Sequence, residues 1–363
     1  MEKRDVGVDL ARVIATLFVV TLHVLGQGGI LQASDPNTPT YWVAWFLEIF
    51  SYCAVNCFAL ISGYVMINRP VRKRNIINLW FQVFFYSVLF SALFFIFVPK
   101  TATVKNIVFS VFPVISKQWW YVSAYFALFF FMPFLNTAIN GLSKNTVKGF
   151  LAVVLLCVCV IGCLISADAF IFNSGYSAIW LMFLYILGAY IKKYDVKTKT
   201  TALKSLFGFI SVIVLTFLSK LMIHFTPITF FGEPKRTDVF VSYTSVTIVL
   251  AAVFLLLFCL NVKINVFSKK VIVFFAPATL GVYLIHVHPL FFQYVVQNAF
   301  VSFVHKPIII TVLCVFATTL LIFLVSSLID LIRIRLFRLI KVPELSNFLD
   351  RKISELIKKL FKE

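Results

Sequence analysis

The segment VDLARVIATLFVVTLHVL, Val8 to Leu25, is apolar and long enough to cross a bilayer, yet it holds a cationic Arg12 and a titratable His23. Ionisable groups at membrane depth are costly and carry a functional expectation. Eleven residues at about 100° each bring His23 to within roughly 20° of Arg12 around the helix and about 16 Å along it. One face therefore carries both groups. Asp9, three residues before Arg12, is placed for a local ion pair that holds the guanidinium at the helix entrance. Alternatively, Arg12 snorkels to the headgroups and His23 bonds a neighbouring helix.

Working outward, the composition excludes a water-soluble domain: 61% of the 363 residues are hydrophobic and 43 are Phe. The first run is too long for a cleaved signal peptide and too polar in its middle, and it should stay as the first helix. Apolar runs and breakers place ten spans at 9–30, 41–67, 76–98, 118–139, 147–167, 176–191, 203–225, 240–260, 271–298 and 307–332. The expected fold is an all-α polytopic integral membrane protein of about ten transmembrane helices. One transmembrane domain should cover 1–342, followed by a cytoplasmic, amphipathic, basic tail over 343–363. In the tail Leu345, Phe348, Leu349, Ile353, Leu356, Ile357, Leu360 and Phe361 recur at helical spacing, with Arg351, Lys352, Lys358, Lys359 and Lys362 opposite, as in a helix lying at the interface.

Of 33 Lys and Arg, 25 fall at the N-terminus, in the even-numbered loops and in the tail. The odd-numbered loops hold only Lys100, Lys105, Lys117, Lys235, Arg236 and Lys306, which puts both termini in the cytoplasm. The net charge of +19 thus reflects topology and attraction to anionic membrane lipid, with no folded basic domain for nucleic acid. The seven Cys lie in apolar runs as small hydrophobes, without zinc or disulfide spacing, and no metal site is expected.

Direction and rise give depth. His23, about 21 Å beyond Asp9, reaches the outer half, and Glu48, descending on the second span, comes to a similar level. The two could pair, a carboxylate fixing the tautomer of a basic imidazole, or Glu48 could stand alone beside Trp42 and Trp45. On the ninth span His286 also reaches the outer half, whereas His288 points about 200° away next to Pro289. Ser62 and Gly63 are small enough to admit a neighbouring helix. Arg69, Arg72, Lys73 and Arg74 then form either a topological cluster or a site for phosphate, which Arg forks match bidentately. Trp119, Trp120 and Tyr121 suit an interfacial belt or a stacking surface for a sugar ring. Lys220 and His224 read as interface anchors.

VDLARVIATLFVVTLH, FALISGYVM, the Arg69–Arg74 run, WWYVSAYFALFFFMPFL and TLGVYLIHVHPL together resemble the ordered landmarks of the membrane-bound acyltransferase-3 family, over most of residues 5–292. The resemblance implies a membrane enzyme of the bacterial plasma membrane that takes an acyl group, commonly acetyl from acetyl-CoA, to a hydroxyl of a cell-surface polysaccharide. It implies that Arg12 and His23 match the family's essential Arg and His, and that Arg69 with Arg72 match its Arg-x-x-Arg element, with Arg72 and Arg74 where a basic pair begins the third helix.

The expected function is therefore O-acetylation of a cell-envelope glycan or its lipid-linked precursor. Arg12, Arg69, Arg72 and Arg74 would hold the acyl-CoA donor. His23 would serve as general base or transient acyl carrier, with Glu48 and His286 as further catalytic candidates, and Trp119, Trp120 and Tyr121 would meet the acceptor. The rival class is a transporter or flippase, which would bind and release its substrate unchanged.

Overall fold

Asp5 starts the bundle: its carboxylate accepts from the backbone N–H of Gly7 at 2.9 Å and Val8 at 3.4 Å, capping α1, Val6–Leu25. The computed structural model describes residues 4–165, 168, 171–226, 229–230, 233–234 and 237–361. The expected basic residues Lys235, Arg236 and Lys362, and the end of the fifth span at 166–167, lie outside the described residues.

Nine more long helices follow among the described residues: α2 (Pro39–Met66), α3 (Lys73–Phe97), α4 (Trp120–Gly141), α5 (Lys144–Ile165), α6 (Ala178–Lys193), α7 (Ala202–Phe225), α8 (Val246–Asn261), α9 (Val266–His286) and α10 (Ile308–Leu339). Eight of the ten are long and apolar enough to cross a membrane by themselves. The other two, α6 and α8, have 16 residues each and are largely buried in the core. The protein is an all-α polytopic membrane protein. Among the described residues the only strand pairing is a two-rung ladder, Thr229–Phe230 with Glu233–Pro234.

The first two helices form the centre. In their most apolar windows 61% of the first hairpin arm and 67% of the second are buried, against 22% of α10, whose Leu313, Phe316, Leu321 and Ile332 face outward as lipid-facing residues do. Small residues set the closest approaches. A Cβ on Gly63 would lie 1.9 Å from the Tyr185 carbonyl oxygen, and one on Gly188 2.0 Å from that of Leu60, so α2 and α6 meet backbone to backbone. The expected helix-contact role of Gly63 is met in this way.

The ninth span is shorter than expected. Pro289 biases His288 out of the helical region, to ψ 129°, and α9 ends at His286; the chain then passes through the short turns Pro289–Phe291 and Phe292–Val296. The second span breaks at Tyr52 and Cys53 before resuming at Ala54.

The tail forms α11, Val342–Phe361, as its apolar stripe requires. It lies along α3: Lys73 Nζ donates to Ser354 Oγ at 3.2 Å and Arg74 to Asn347 Oδ1 at 3.0 Å.

Candidate active site

A cavity of about 350 Å³ runs through the bundle along the polar face of α1. Arg12 and Asn75 line it toward the face carrying both termini, and His23, Trp120 and Tyr243 line it farther along. Between them the wall comes from α2 (Val55, Phe58, Ser62), α4 (Tyr121, Tyr125, Phe129) and α9 (Thr279, Leu280, Tyr283). The shared helix face of Arg12 and His23 is thus the floor of one continuous space.

Arg12 donates to Asp9 Oδ1 at 3.4 Å, the local pair expected from their spacing, and Asp9 also accepts from Arg4 Nε. The Arg12 side chain keeps about a third of its surface exposed, and Arg4 and Arg69 are its electrostatic neighbours. Arg4 and Arg12 thus share Asp9 at the start of α1. Arg69 borders a shallow depression with Asn68, Asn136 and Asn140. Arg72 is exposed just before α3, and Arg74 is spent on Asn347 of the tail. Of the four expected donor-binding arginines, Arg12 lines this cavity, Arg69 is an electrostatic neighbour of Arg12 that borders a separate depression, and Arg74 is turned to the tail.

At the other end the histidines form a chain. His286 Nδ1 lies 2.5 Å from the Val282 carbonyl oxygen, which can only accept, so Nδ1 carries the proton. With both rings neutral, His286 Nε2 is then an acceptor, and His23 Nδ1, at 2.9 Å, donates to it. That leaves His23 Nε2 without a proton. His23 lines the cavity, whereas His286 is fully packed behind it at 1% exposure. The arrangement fits a base whose tautomer is fixed from the rear.

Glu48 does not complete this pair. No hydrogen bond joins it to His23 among the described residues, because α1 turns His23 toward α9, where its ring meets His286 Nε2 at 2.9 Å. His288 is buried on another side, its ring 5.6 Å from Trp119 and 5.5 Å from Phe90. The expected aromatic trio also divides: Trp120 and Tyr121 line the cavity, and Trp119, at 1% exposure, packs with His288 away from it.

Lys220 corrects its expected role as an interface anchor. It is 1% exposed, with Nζ 3.5 Å from the Trp45 ring centroid and 3.2 Å from Thr237 Oγ1, because the aromatic rings of α2 offer the cation a face inside the bundle. His224 is half-buried, its ring 4.9 Å from Trp42.

Three features escaped sequence reasoning. Asn56, fully buried, donates to the Tyr243 carbonyl at 2.8 Å and accepts from Trp180 Nε1 at 3.1 Å, which holds Tyr243 over the cavity. Gly175, at φ 96°, comes so close to Tyr243 that a Cβ would lie 2.4 Å from the tyrosine's own. Asp330, fully buried on α10, accepts from Tyr86 (2.7 Å), Gln82 (3.2 Å) and Arg333 (2.8 Å), and presses against Gly281 of the cavity-lining α9. An acid inside a span with Arg three residues on was a visible signal for the last of these.

A family model described as an acyltransferase domain matches residues 5–327, nearly the whole chain. No curated protein and no solved structure matches it.

Proposed function

Because the chain belongs to the acyltransferase-3 family, we propose that this membrane acyltransferase takes acetyl from acetyl-CoA and transfers it to a hydroxyl of a cell-envelope polysaccharide or its lipid-linked precursor. The host is a bacterial plasma membrane with both termini cytoplasmic, as the Lys and Arg bias favours. The observation that carries the proposal is the single cavity joining Arg12 at one end to His23, hydrogen-bonded from behind by His286, at the other.

In this account the coenzyme A phosphates engage Arg12 and Arg69 at the cytoplasmic mouth, where the guanidinium forks suit them. The pantetheine arm lies along the apolar wall and brings the thioester toward His23. The acceptor hydroxyl enters from the opposite face, beside Trp120 and Tyr121. Its oxygen bonds to the thioester carbonyl carbon as its proton passes to His23 Nε2. The carbon–sulfur bond then breaks, and coenzyme A leaves as the thiol with that proton. The imidazolium formed on the way is stabilised through its Nδ1–H by His286 Nε2, itself oriented by Val282. A thioester is reactive enough for one positioned base to suffice.

The test follows free thiol from acetyl-CoA with the purified protein in lipid nanodiscs, with and without glycan from the producing cells. Acceptor-dependent release of coenzyme A, with acetyl found on the glycan, supports the proposal. An intact thioester in the presence of bound acetyl-CoA and glycan contradicts it.

A further inference from the structure

Acyl transfer develops negative charge on the thioester carbonyl oxygen, and no group named so far meets it. Arg12 lies about 16 Å from His23 along α1, and His286 bonds His23 from behind. Of the hydroxyls lining the cavity, Ser62 donates to the Phe58 carbonyl at 2.9 Å and Thr279 to that of Ala276 at 2.9 Å. Tyr125 has Ser62 as a hydrogen-bonding neighbour, and Tyr243 has Tyr176. Tyr121 and Tyr283 differ: both hydroxyls are buried and have no hydrogen-bond partner among the described residues. A buried hydroxyl without a partner costs stability, and Phe would fill the same space without that cost.

Of the two, Tyr283 is tied to the histidines. It lies three residues before His286, and Thr279, Tyr283 and His286 recur at steps of four and three on one face of α9. Thr279 and Tyr283 line the cavity, and His286 on that face bonds His23. The ring centroids follow in sequence: 6.4 Å from Tyr121 to Tyr283, 6.4 Å from Tyr283 to His286, and 5.1 Å from His286 to His23. The backbone of Tyr121 lies against the Tyr283 oxygen without closing a hydrogen bond. An amide N–H there can only donate, so the Tyr283 proton is left for an acceptor, in a cavity wall shared with His23.

We infer that Tyr283 is a catalytic residue of the transfer, its O–H donating to the thioester carbonyl oxygen while His23 takes the proton of the acceptor hydroxyl. The inference rests on the acyl-transfer reading above and adds the group that meets the developing charge. As the acceptor oxygen bonds to the carbonyl carbon, the C=O electron pair moves onto the carbonyl oxygen and the hydrogen bond from Tyr283 strengthens. The phenolic proton stays on Tyr283 throughout. When the C=O bond re-forms, the carbon–sulfur bond breaks, and coenzyme A leaves as the thiol with the proton that His23 took. A phenol suits this task in an apolar wall, because its ring packs while its polar end takes the ligand as partner.

The experiment combines transfer kinetics with the infrared band of bound acetyl-CoA carrying carbon-13 at its carbonyl, for wild type, Tyr283→Phe and Tyr121→Phe in nanodiscs. In the wild type the carbonyl band should lie below its position in solution, as a hydrogen-bonded and polarised carbonyl requires. Tyr283→Phe should return the band toward the solution position and lower kcat by about 10²-fold, the scale of a lost oxyanion donor, with donor affinity and acceptor KM near those of the wild type. Its thermal midpoint should equal or exceed that of the wild type, because the lost hydroxyl has no partner in the bundle. In place of Tyr283, 3-fluorotyrosine keeps the ring, makes a stronger donor, and should move the band further from solution. An unshifted wild-type band, a kcat unchanged in Tyr283→Phe, a loss confined to donor affinity, or a band that follows Tyr121→Phe alone would overturn the inference. A wild type that binds acetyl-CoA and glycan but transfers nothing would overturn the acyl-transfer reading instead.

Discussion

His23 Nδ1 and His286 Nε2 lie 2.9 Å apart, and the Val282 carbonyl behind His286 sets the direction of both protons. The two residues are separated by more than 260 positions in the chain, so the contact exists only because α1 and α9 pack side by side. His286→Ala should therefore leave acetyl-CoA affinity intact and lower transfer by about 10²-fold, as for a lost acid–base partner. His286→Gln, whose side-chain oxygen can accept from His23, should recover part of that loss. Equal activity of His286→Ala and wild type in a steady-state transfer assay would separate His286 from the chemistry.

The arginines at the cavity mouth should divide in function as they divide in space. Arg12→Ala and Arg69→Ala are expected to weaken acetyl-CoA binding by about 1–3 kcal/mol, with Lys restoring it only in part. Arg74→Ala should leave donor affinity alone and loosen the tail, because Arg74 bonds Asn347. Equilibrium binding of labelled acetyl-CoA decides this; a loss at Arg74 that matches the loss at Arg12 would place the phosphates nearer the tail.

Gly281 and Asp330 should be coupled. A Cβ on Gly281 would fall 2.1 Å from Asp330 Cγ, so Gly281→Ala is expected to cost about 1–3 kcal/mol as an overpacked contact. Asp330→Ala should cost about 3–5 kcal/mol by leaving Arg333 buried without its partner. In the Asp330→Ala background the glycine substitution should become nearly neutral. Thermal unfolding in detergent across the four proteins measures the coupling, and strictly additive losses would mean that the two residues do not constrain each other.

Much of this arrangement was legible in the chain. Hydrophobic run length gave the bundle of membrane helices, and the helical repeat put Arg12 and His23 on one face, because both depend on local periodicity alone. The tail stripe was readable for the same reason. What could not be read was rotation of one helix against another. Glu48 and His286 both reach the level of His23, and only the packing of α1 against α9 decides which of them it meets. Trp119 and Trp120 are adjacent and chemically alike, yet helix phase sends one to His288 and the other to the cavity. Lys220 resembled a surface anchor until the rings of Tyr41 and Trp45 were brought beside it by tertiary contact.

The most direct measurement is made on His23→Ala in nanodiscs, with acetyl-CoA binding and acetyl transfer recorded on the same preparation. The account predicts a folded protein with donor affinity near that of the wild type and transfer reduced by at least ~10²-fold. Transfer retained in His23→Ala would contradict it, since the base at the end of the cavity would then lie elsewhere.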